Sequence, residues 1–116
     1  MSEPELMPIV PEAFADLVHE GRAILRYQSK LVDAIAATAR EVEIGGHKIL
    51  AANTSCLFSE VAEKLAQGRP FGAAWFIRSD GKKQWSLRSR EGGIDVSAVA
   101  KQRGGGGHFA AAGFEE

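Results

Sequence analysis

The segment 103–114, with the sequence RGGGGHFAAAGF, places four consecutive glycines directly before a histidine. Glycine inside a helix or strand costs about 0.5–1 kcal/mol relative to alanine, so we expect this run to form a loop. Such a loop lets the backbone come close to another group or adopt positive φ angles. If a helix begins at Ala110, its N-terminus and the loop N–H groups point the same way, which favours binding of an anion such as phosphate.

Two familiar glycine-rich motifs do not fit this segment. The P-loop of nucleoside-triphosphate-binding proteins needs a Lys-Ser/Thr pair after its last glycine, and none follows here. The dinucleotide-binding motif follows a strand, whereas the predicted element before these glycines is a helix. What remains is a cradle of backbone N–H groups in which His108 donates a hydrogen bond to a phosphate oxygen. The alternative is a flexible turn in which His108 caps its own backbone.

Basic side chains are concentrated just before the glycines. Residues 78–103 carry seven basic and three acidic side chains, a net charge of +4, although the whole chain has a net charge of −1. We expect this local positive charge to attract an anion bound at the loop. Arg88 and Arg90 are the natural partners because a planar guanidinium matches the geometry of a phosphate, and Ser86 or Ser89 can add a hydroxyl. The alternative is that these charges are simply solvated at the surface.

Length and composition describe an ordinary globular domain. The 116 residues are 45% hydrophobic, which is enough to bury a core. No apolar run is long enough to span a membrane, and the N-terminus is acidic rather than basic as in a secretory signal. The single cysteine, Cys56, excludes an intrachain disulfide and fits a reducing compartment. We therefore expect a cytoplasmic protein that does not contact a membrane.

Apolar spacing and turn residues predict the order of the elements. Apolar residues at steps of three and four predict a long first helix, and Asp-Gly at 80–81 predicts a β-hairpin. The predicted elements are helix 11–40, strands 41–44 and 48–53, helix 57–67, strands 72–79 and 82–90, helix 96–103, and a final helical turn at 110–112. This order predicts a single α/β domain with a central mixed β-sheet, flanking helices and a long N-terminal helix.

Local patterns also predict caps and one strand register. Asn-Thr-Ser at 53–55 is expected to cap the second helix, and Asp95 the third. A two-residue turn at 80–81 would pair Trp75 with Ser86. Because side chains alternate along a strand, Trp75, Ser86, Arg88 and Arg90 would then share one face.

The groups needed for catalysis are not brought together by the sequence. His19 and His47 are isolated, the four aspartates are scattered, and no Cys–His arrangement is visible. We therefore expect neither a catalytic residue nor a metal ligand in this chain.

Three motifs together resemble the DHHA1 domain. They are Ser-Leu-Arg-Ser at 86–89, Asp-Val-Ser-x-x-Ala at 95–100, and Gly-Gly-Gly-Gly-His-x-x-Ala-Ala-Gly at 104–113. DHHA1 is the C-terminal, substrate-binding domain of the DHH-family phosphoesterases, which include RecJ-type exonucleases, oligoribonucleases and cyclic-dinucleotide phosphodiesterases. The resemblance covers residues 45–114. Alanyl-tRNA synthetases have a related segment, but the histidine after the glycines favours the phosphoesterase branch.

The resemblance implies a domain organisation and a set of site residues. Residues 1–40 would be a leader and a linker-type helix, and residues 41–116 the substrate-binding domain. In the family, the glycine loop and its histidine hold a substrate phosphate that faces the metal site of another domain. By position, these roles fall on Gly104, Gly105, Gly106, Gly107 and His108, with Arg88 as a further phosphate contact.

The same resemblance implies that hydrolysis takes place in a DHH domain, where an Asp-His-His motif helps to bind two metal ions, typically Mn²⁺. No Asp-His-His occurs in this sequence, so we expect a non-catalytic fragment of a phosphoesterase. Its partners would be a nucleotide or short single-stranded nucleic acid and the DHH domain. The alternative is a stand-alone single-stranded nucleic-acid binding module in which aromatics such as Trp75 stack on bases. A structural or oligomerisation domain, for example a homodimer formed through the first helix, is a third reading.

Overall fold

The computed structural model describes residues 11–116, and the leader predicted for residues 1–10 lies outside that range. The described part contains three helices and six strands. In chain order they are α1 Pro11–Ala36, β1 Arg40–Ile44, β2 His47–Asn53, α2 Phe58–Leu65, β3 Gly72–Ile77, β4 Lys83–Arg88, α3 Val96–Gln102, β5 Gly106–His108 and β6 Ala111–Glu115.

All six strands belong to one sheet, in the order β1-β2-β3-β4-β6-β5. Strands β2 and β3 are parallel and α2 connects them, whereas every other neighbouring pair is antiparallel. A parallel pair needs such a crossover because the chain must return to the end of the sheet at which the first strand began. The predicted α/β class with a central mixed sheet is confirmed.

Each face of the sheet packs against its own helix. On the face that we call the α3 face, Leu87 joins Val96 of α3 in a buried cluster. On the opposite face, which we call the α2 face, Ala74 joins Val61 of α2 in a second cluster. Because successive residues of a strand alternate between faces, the register of the strands determines which side chains accompany each helix.

Helix α1 is divided between two compact units. Its residues up to Leu31 belong to the first unit, and the second unit spans Val32–Glu116. Within the second unit, Val32 is buried in the α2-face cluster. Within the first unit, the large apolar side chains remain 58–69% exposed: Phe14, Leu17, Ile24, Leu25 and Tyr27. The helix stops four residues before its predicted end, where the Thr38 hydroxyl donates to the Ile35 carbonyl at 2.6 Å. No helix within residues 11–116 combines the length and the apolar character needed to cross a membrane.

The predicted pairing of Trp75 with Ser86 is wrong by one residue. The Arg78 N–H donates to the Lys82 carbonyl at 2.7 Å, so the turn between them contains three residues rather than two. Gly81 takes the positive φ of 85° that such a three-residue turn requires. Trp75 therefore lies opposite Trp85 and packs against the α3-face cluster, away from Ser86 and Arg88.

The glycine-rich segment forms a β-hairpin, which corrects two predictions. Strand β5 includes Gly106, Gly107 and His108. Of the predicted helical turn at 110–112, Ala110 lies in the hairpin turn and Ala111 and Ala112 instead begin strand β6. A Cβ at Gly107 would lie 2.5 Å from Cα of Ala112, so the absence of a side chain allows the two backbones to pair closely. The unfavourable propensity of glycine for a strand is outweighed here by that pairing.

The start of α2 also differs from the prediction. Residues 53–55 do not cap it, and the N-cap is Leu57, in the left-handed region at φ 51° with no side-chain hydrogen bond. The Thr54 hydroxyl instead accepts from the Cys56 N–H at 3.3 Å and closes the preceding turn. The predicted cap of α3 is confirmed, since Asp95 accepts from the Ser97 N–H at 2.9 Å.

Candidate functional site

Three neighbouring strands bring Arg88 and His108 onto the same face of the sheet. Arg88 in β4 and His108 in β5 both lie opposite Ala111 of the central strand β6. The three residues therefore form one cross-strand row on the α2 face. Neighbouring strands are about 4.8 Å apart, so the Cα atoms of Arg88 and His108 lie roughly 10 Å apart with only a methyl group between them.

A recess of about 320 Å³, which we call the glycine recess, adjoins this row on the α2 face. Its floor includes the next row of the sheet, in which Ser86 pairs with Gly113 and Gly113 with Gly106. Ser59 of α2 borders it from the helix side. The recess is lined by Ser59, Gln84, Trp85, Ser86, Leu87, Arg88, Gly106, Gly107, Ala111, Ala112 and Gly113.

The glycines of the run differ in whether the fold leaves room for a side chain. A Cβ at Gly105 would lie 2.0 Å from the Gly113 carbonyl, and one at Gly107 would meet Ala112, so the hairpin itself excludes side chains there. Gly106 differs because a Cβ built on it meets no heavy atom within 4 Å. The packing of the described residues therefore does not explain the glycine at 106, which lies on the floor of the recess.

Gly104 ends helix α3 rather than opening a new helix. Its N–H donates to the Lys101 carbonyl, the Gly105 N–H donates to the Ala100 carbonyl, and Gly104 has a φ of 81°. This is the Schellman arrangement, in which a left-handed glycine satisfies the last carbonyls of a helix. The predicted helix N-terminus at Ala110 is absent, so that part of the predicted anion cradle is wrong.

A different helix N-terminus borders the recess. Ser59 is in the first turn of α2, and no side chain caps that turn. The N–H groups at the start of a helix carry a partial positive charge, which favours an anion nearby. Sequence reasoning missed Ser59 and Gln84. The alternation of Gln84, Ser86 and Arg88 along β4 was the signal that could have revealed Gln84.

Arg88 lies between two recesses and forms no ion pair with an acidic side chain of residues 11–116. The second recess, of about 450 Å³, is lined by Glu63, Arg88, Ser89, Arg90 and Glu91. Other basic residues of the 78–103 segment are engaged: Arg78 contacts Asp80 and Glu115, and Lys82 contacts Glu115. Arg88 therefore remains available to a ligand, although Glu63 would repel an anion at that end.

The tip of the β5–β6 hairpin is held by the loop and helix that precede it. The Val96 N–H of α3 donates to the Phe109 carbonyl at 2.9 Å, and the Ser89 N–H donates to the Ala110 carbonyl at 3.1 Å. Asp95 caps the same end of α3, and the hydrogen bond that it accepts from the Ser97 hydroxyl lowers its pKa below the usual 3.8. His108 and Phe109 are exposed on this anchored tip.

The predicted surface of Trp75, Ser86, Arg88 and Arg90 is divided in the structure. Ser86 and Arg88 line the glycine recess, whereas Arg90 lies beyond β4 and lines only the second one. Trp75 is on the α3 face, where the Lys83 ammonium lies 4.0 Å from its ring centroid. Within the described range, no group of three or more His, Cys, Asp or Glu residues is arranged to hold a metal ion.

No family model matches the chain, and no curated protein matches it. Among solved structures, the chain is similar to an uncharacterized protein from Helicobacter pylori G27, with 24% sequence identity and a TM-score of 0.49. The match covers 66% of this chain and 22% of that protein, so this chain spans less than a quarter of its length.

Proposed function

We propose that this domain binds a terminal phosphate of a nucleotide or short single-stranded nucleic acid and presents it to a metal-dependent phosphoesterase domain. The observation that carries the proposal is the cross-strand row in which Arg88 and His108 lie on either side of Ala111. The resemblance to DHHA1 domains points to the same residues. In this proposal the chain positions the substrate, and hydrolysis belongs to a DHH domain that binds Mn²⁺.

Each polar group of the site has a distinct part in binding. The guanidinium of Arg88 can donate two parallel hydrogen bonds to one phosphate, a geometry that a lysine cannot reproduce. His108 donates from the other end of the row, and the Ser86 hydroxyl donates from the next row on the same face. The methyl group of Ala111 and the bare backbone of Gly106 leave room between these donors.

Binding of the phosphate is tested by removing either the guanidinium or the phosphate. We expect Arg88→Ala to weaken binding of a 5′-phosphorylated dinucleotide by about 10-fold or more, since charge-assisted hydrogen bonds are lost. Removing the 5′-phosphate from the ligand should weaken binding to the wild type by a similar factor. It should cause little further loss in Arg88→Ala, because the two changes remove the same interaction. Isothermal titration calorimetry measures all four affinities.

The matched control is Arg90→Ala, which removes the same charge outside the glycine recess. We expect it to change the affinity by less than about twofold, as for a solvated surface charge. Equal losses in the two variants, or equal binding of the two ligands by the wild type, would refute the phosphate site. Hydrolysis by the purified chain with Mn²⁺, abolished by His108→Ala, would contradict the non-catalytic role.

A second candidate function is a module that binds single-stranded nucleic acid along its backbone. It is favoured by the second recess, which continues past Arg88 and is bordered by Arg90. A site for a chain end should reach its full affinity with a dinucleotide. A backbone-tracking groove should bind longer strands progressively more tightly and with a steeper dependence on salt concentration.

A further inference from the structure

A partly exposed aromatic pair lies on the α2 face and has no part in the phosphate site. Phe58 in the first turn of α2 stacks on Phe76 of β3, with ring centroids 6.3 Å apart and planes inclined by 26°. Phe58 remains 38% exposed. An apolar ring that is supported on one side and open to solvent on the other can accept a second flat ring.

The pair lies next to residues of the glycine recess, although neither ring lines the recess itself. Phe76 lies opposite Gln84 in the β3–β4 register, and Gln84 lines the recess. Ser59, the neighbour of Phe58, lines it as well. Gln84 and Arg88 are four residues apart on β4, which corresponds to about 13 Å. This length is close to the span of a nucleotide from its phosphate to the far edge of its base.

Gln84 supplies a hydrogen-bonding group beside this pair. Its side-chain Nε2 is directed to two acceptors, the carbonyls of Trp85 and Phe114, each at 3.4 Å. Because both partners are acceptors, the amide orientation follows from the contacts, and Oε1 is the free end of the group. Within residues 11–116, no side-chain or backbone donor reaches that oxygen.

We propose that Phe58 and Gln84 form a nucleobase subsite, in which the base stacks on Phe58 and its exocyclic amine donates to Oε1 of Gln84. The subsite rests on the proposed function, since it assumes that the phosphate of the same nucleotide is held at the Arg88 end. Its ligand class is an amino-substituted base carried by a nucleoside monophosphate. Stacking on an aromatic side chain tolerates every base, so the Gln84 contact supplies the preference among bases.

The test compares three ligands that differ only in the base: AMP, purine riboside 5′-monophosphate without the amine, and ribose 5-phosphate without any base. We expect the wild type to bind AMP about 10-fold more tightly than ribose 5-phosphate. The Phe58→Leu variant should bring that ratio close to one without changing the affinity for ribose 5-phosphate. Phe58→Trp should raise the ratio, a gain that misfolding cannot produce. Gln84→Leu should remove the preference for AMP over purine riboside monophosphate.

The matched control is Phe109→Leu, which alters a phenylalanine that is 57% exposed on the β5–β6 hairpin tip, at the edge of the sheet beyond β6, and not beside Gln84. It should leave the ratio unchanged. Equal binding of AMP and ribose 5-phosphate by the wild type, or an unchanged ratio in Phe58→Leu, would overturn the subsite while leaving the phosphate site intact. Failure of the proposed function would give a different result from failure of the subsite. Ribose 5-phosphate would then bind equally to the wild type and Arg88→Ala, or would not bind at all.

Discussion

At Gly106 the fold has room for a side chain, whereas the proposed binding of a phosphate does not. The chain itself has room for a side chain there, because a Cβ would meet no heavy atom within 4 Å. The same position lies on the floor of the recess between Ser86 and the edge of the sheet. A methyl group added at this residue would therefore occupy space that the phosphate is proposed to use.

We predict that Gly106→Ala folds normally and binds poorly. Its free energy of unfolding should stay within about 1 kcal/mol of the wild-type value, since no atom has to move and alanine restricts the unfolded chain. Its affinity for a 5′-phosphorylated dinucleotide should fall by about 10-fold, because a close backbone approach is blocked. Urea unfolding and calorimetric titration measure the two quantities.

Gly107→Ala is the matched control for this prediction. The added Cβ would lie 2.5 Å from Cα of Ala112, and Gly107 has a φ of 146°, so we expect a loss of about 1–3 kcal/mol of stability. Normal ligand affinity in Gly106→Ala would show that its glycine has no part in binding.

At the scale of elements, helix α3 and the β5–β6 hairpin are connected at both ends of the helix. The helix begins beside the hairpin tip, where Val96 N–H donates to the Phe109 carbonyl, and it ends at Gly104, directly before β5. The cap at Asp95 therefore supports both the helix and the strand that carries His108. The hydrogen bond from the Ser97 hydroxyl lowers the pKa of Asp95, so folding favours its ionised form.

We predict that the domain becomes less stable in acid because Asp95 is protonated there and its cap is weakened. A carboxyl whose pKa is lowered by folding contributes its stability above the unfolded-state value of 3.8, and this contribution is lost as the pH falls through the lower folded-state value. Asp95→Asn should therefore remove part of the decline in stability below about pH 4. Urea unfolding between pH 3 and pH 6 compares the two proteins.

Glu91→Gln serves as the control, because it neutralises an exposed carboxylate that forms no hydrogen bond with another side chain of the described range. Asp95→Asn should reduce the decline in stability between pH 6 and pH 3 more than this control does. If the pH profile of Asp95→Asn is parallel to that of the wild type, the cap is not the titrating group.

At the scale of the whole molecule, both buried clusters belong to the unit Val32–Glu116. Residues 12–31 of α1 contribute none of the buried side chains. Hydrophobic burial is the main favourable term in folding. The stability of the sheet should therefore be independent of most of α1.

We predict that a variant without residues 1–27 folds as well as a variant that begins at Pro11. Its urea midpoint should be nearly unchanged, while its helical circular dichroism signal should fall because most of α1 has been removed. Binding of a 5′-phosphorylated dinucleotide should also persist. A variant with Val32→Asp is the matched comparison, since a buried carboxylate should cost several kcal/mol. Loss of cooperative unfolding in the shortened variant would show that the first unit is required.

The candidate site was proposed from the sequence because its signals are local. The glycine run with His108, the basic segment with Arg88, and the cap at Asp95 are each readable from residue types and spacing. The structure brings Arg88, His108 and Gly106 together on one face, as a shared site requires. The aromatic pair of Phe58 and Phe76 was not predictable, because its two members come from different elements and no local pattern links them.

The sequence by itself determined the α/β class, the order of most elements, and the candidate phosphate-binding residues, since these follow from periodicity, turn residues and side-chain chemistry. Only the tertiary structure decided that residues 111–115 form a strand and that Trp75 leaves the face of Arg88. The first depends on pairing with β4, more than twenty residues earlier in the chain, and that pairing outweighs the local preference. The second depends on a single extra turn residue, because side chains alternate along a strand and a shift of one residue exchanges the two faces.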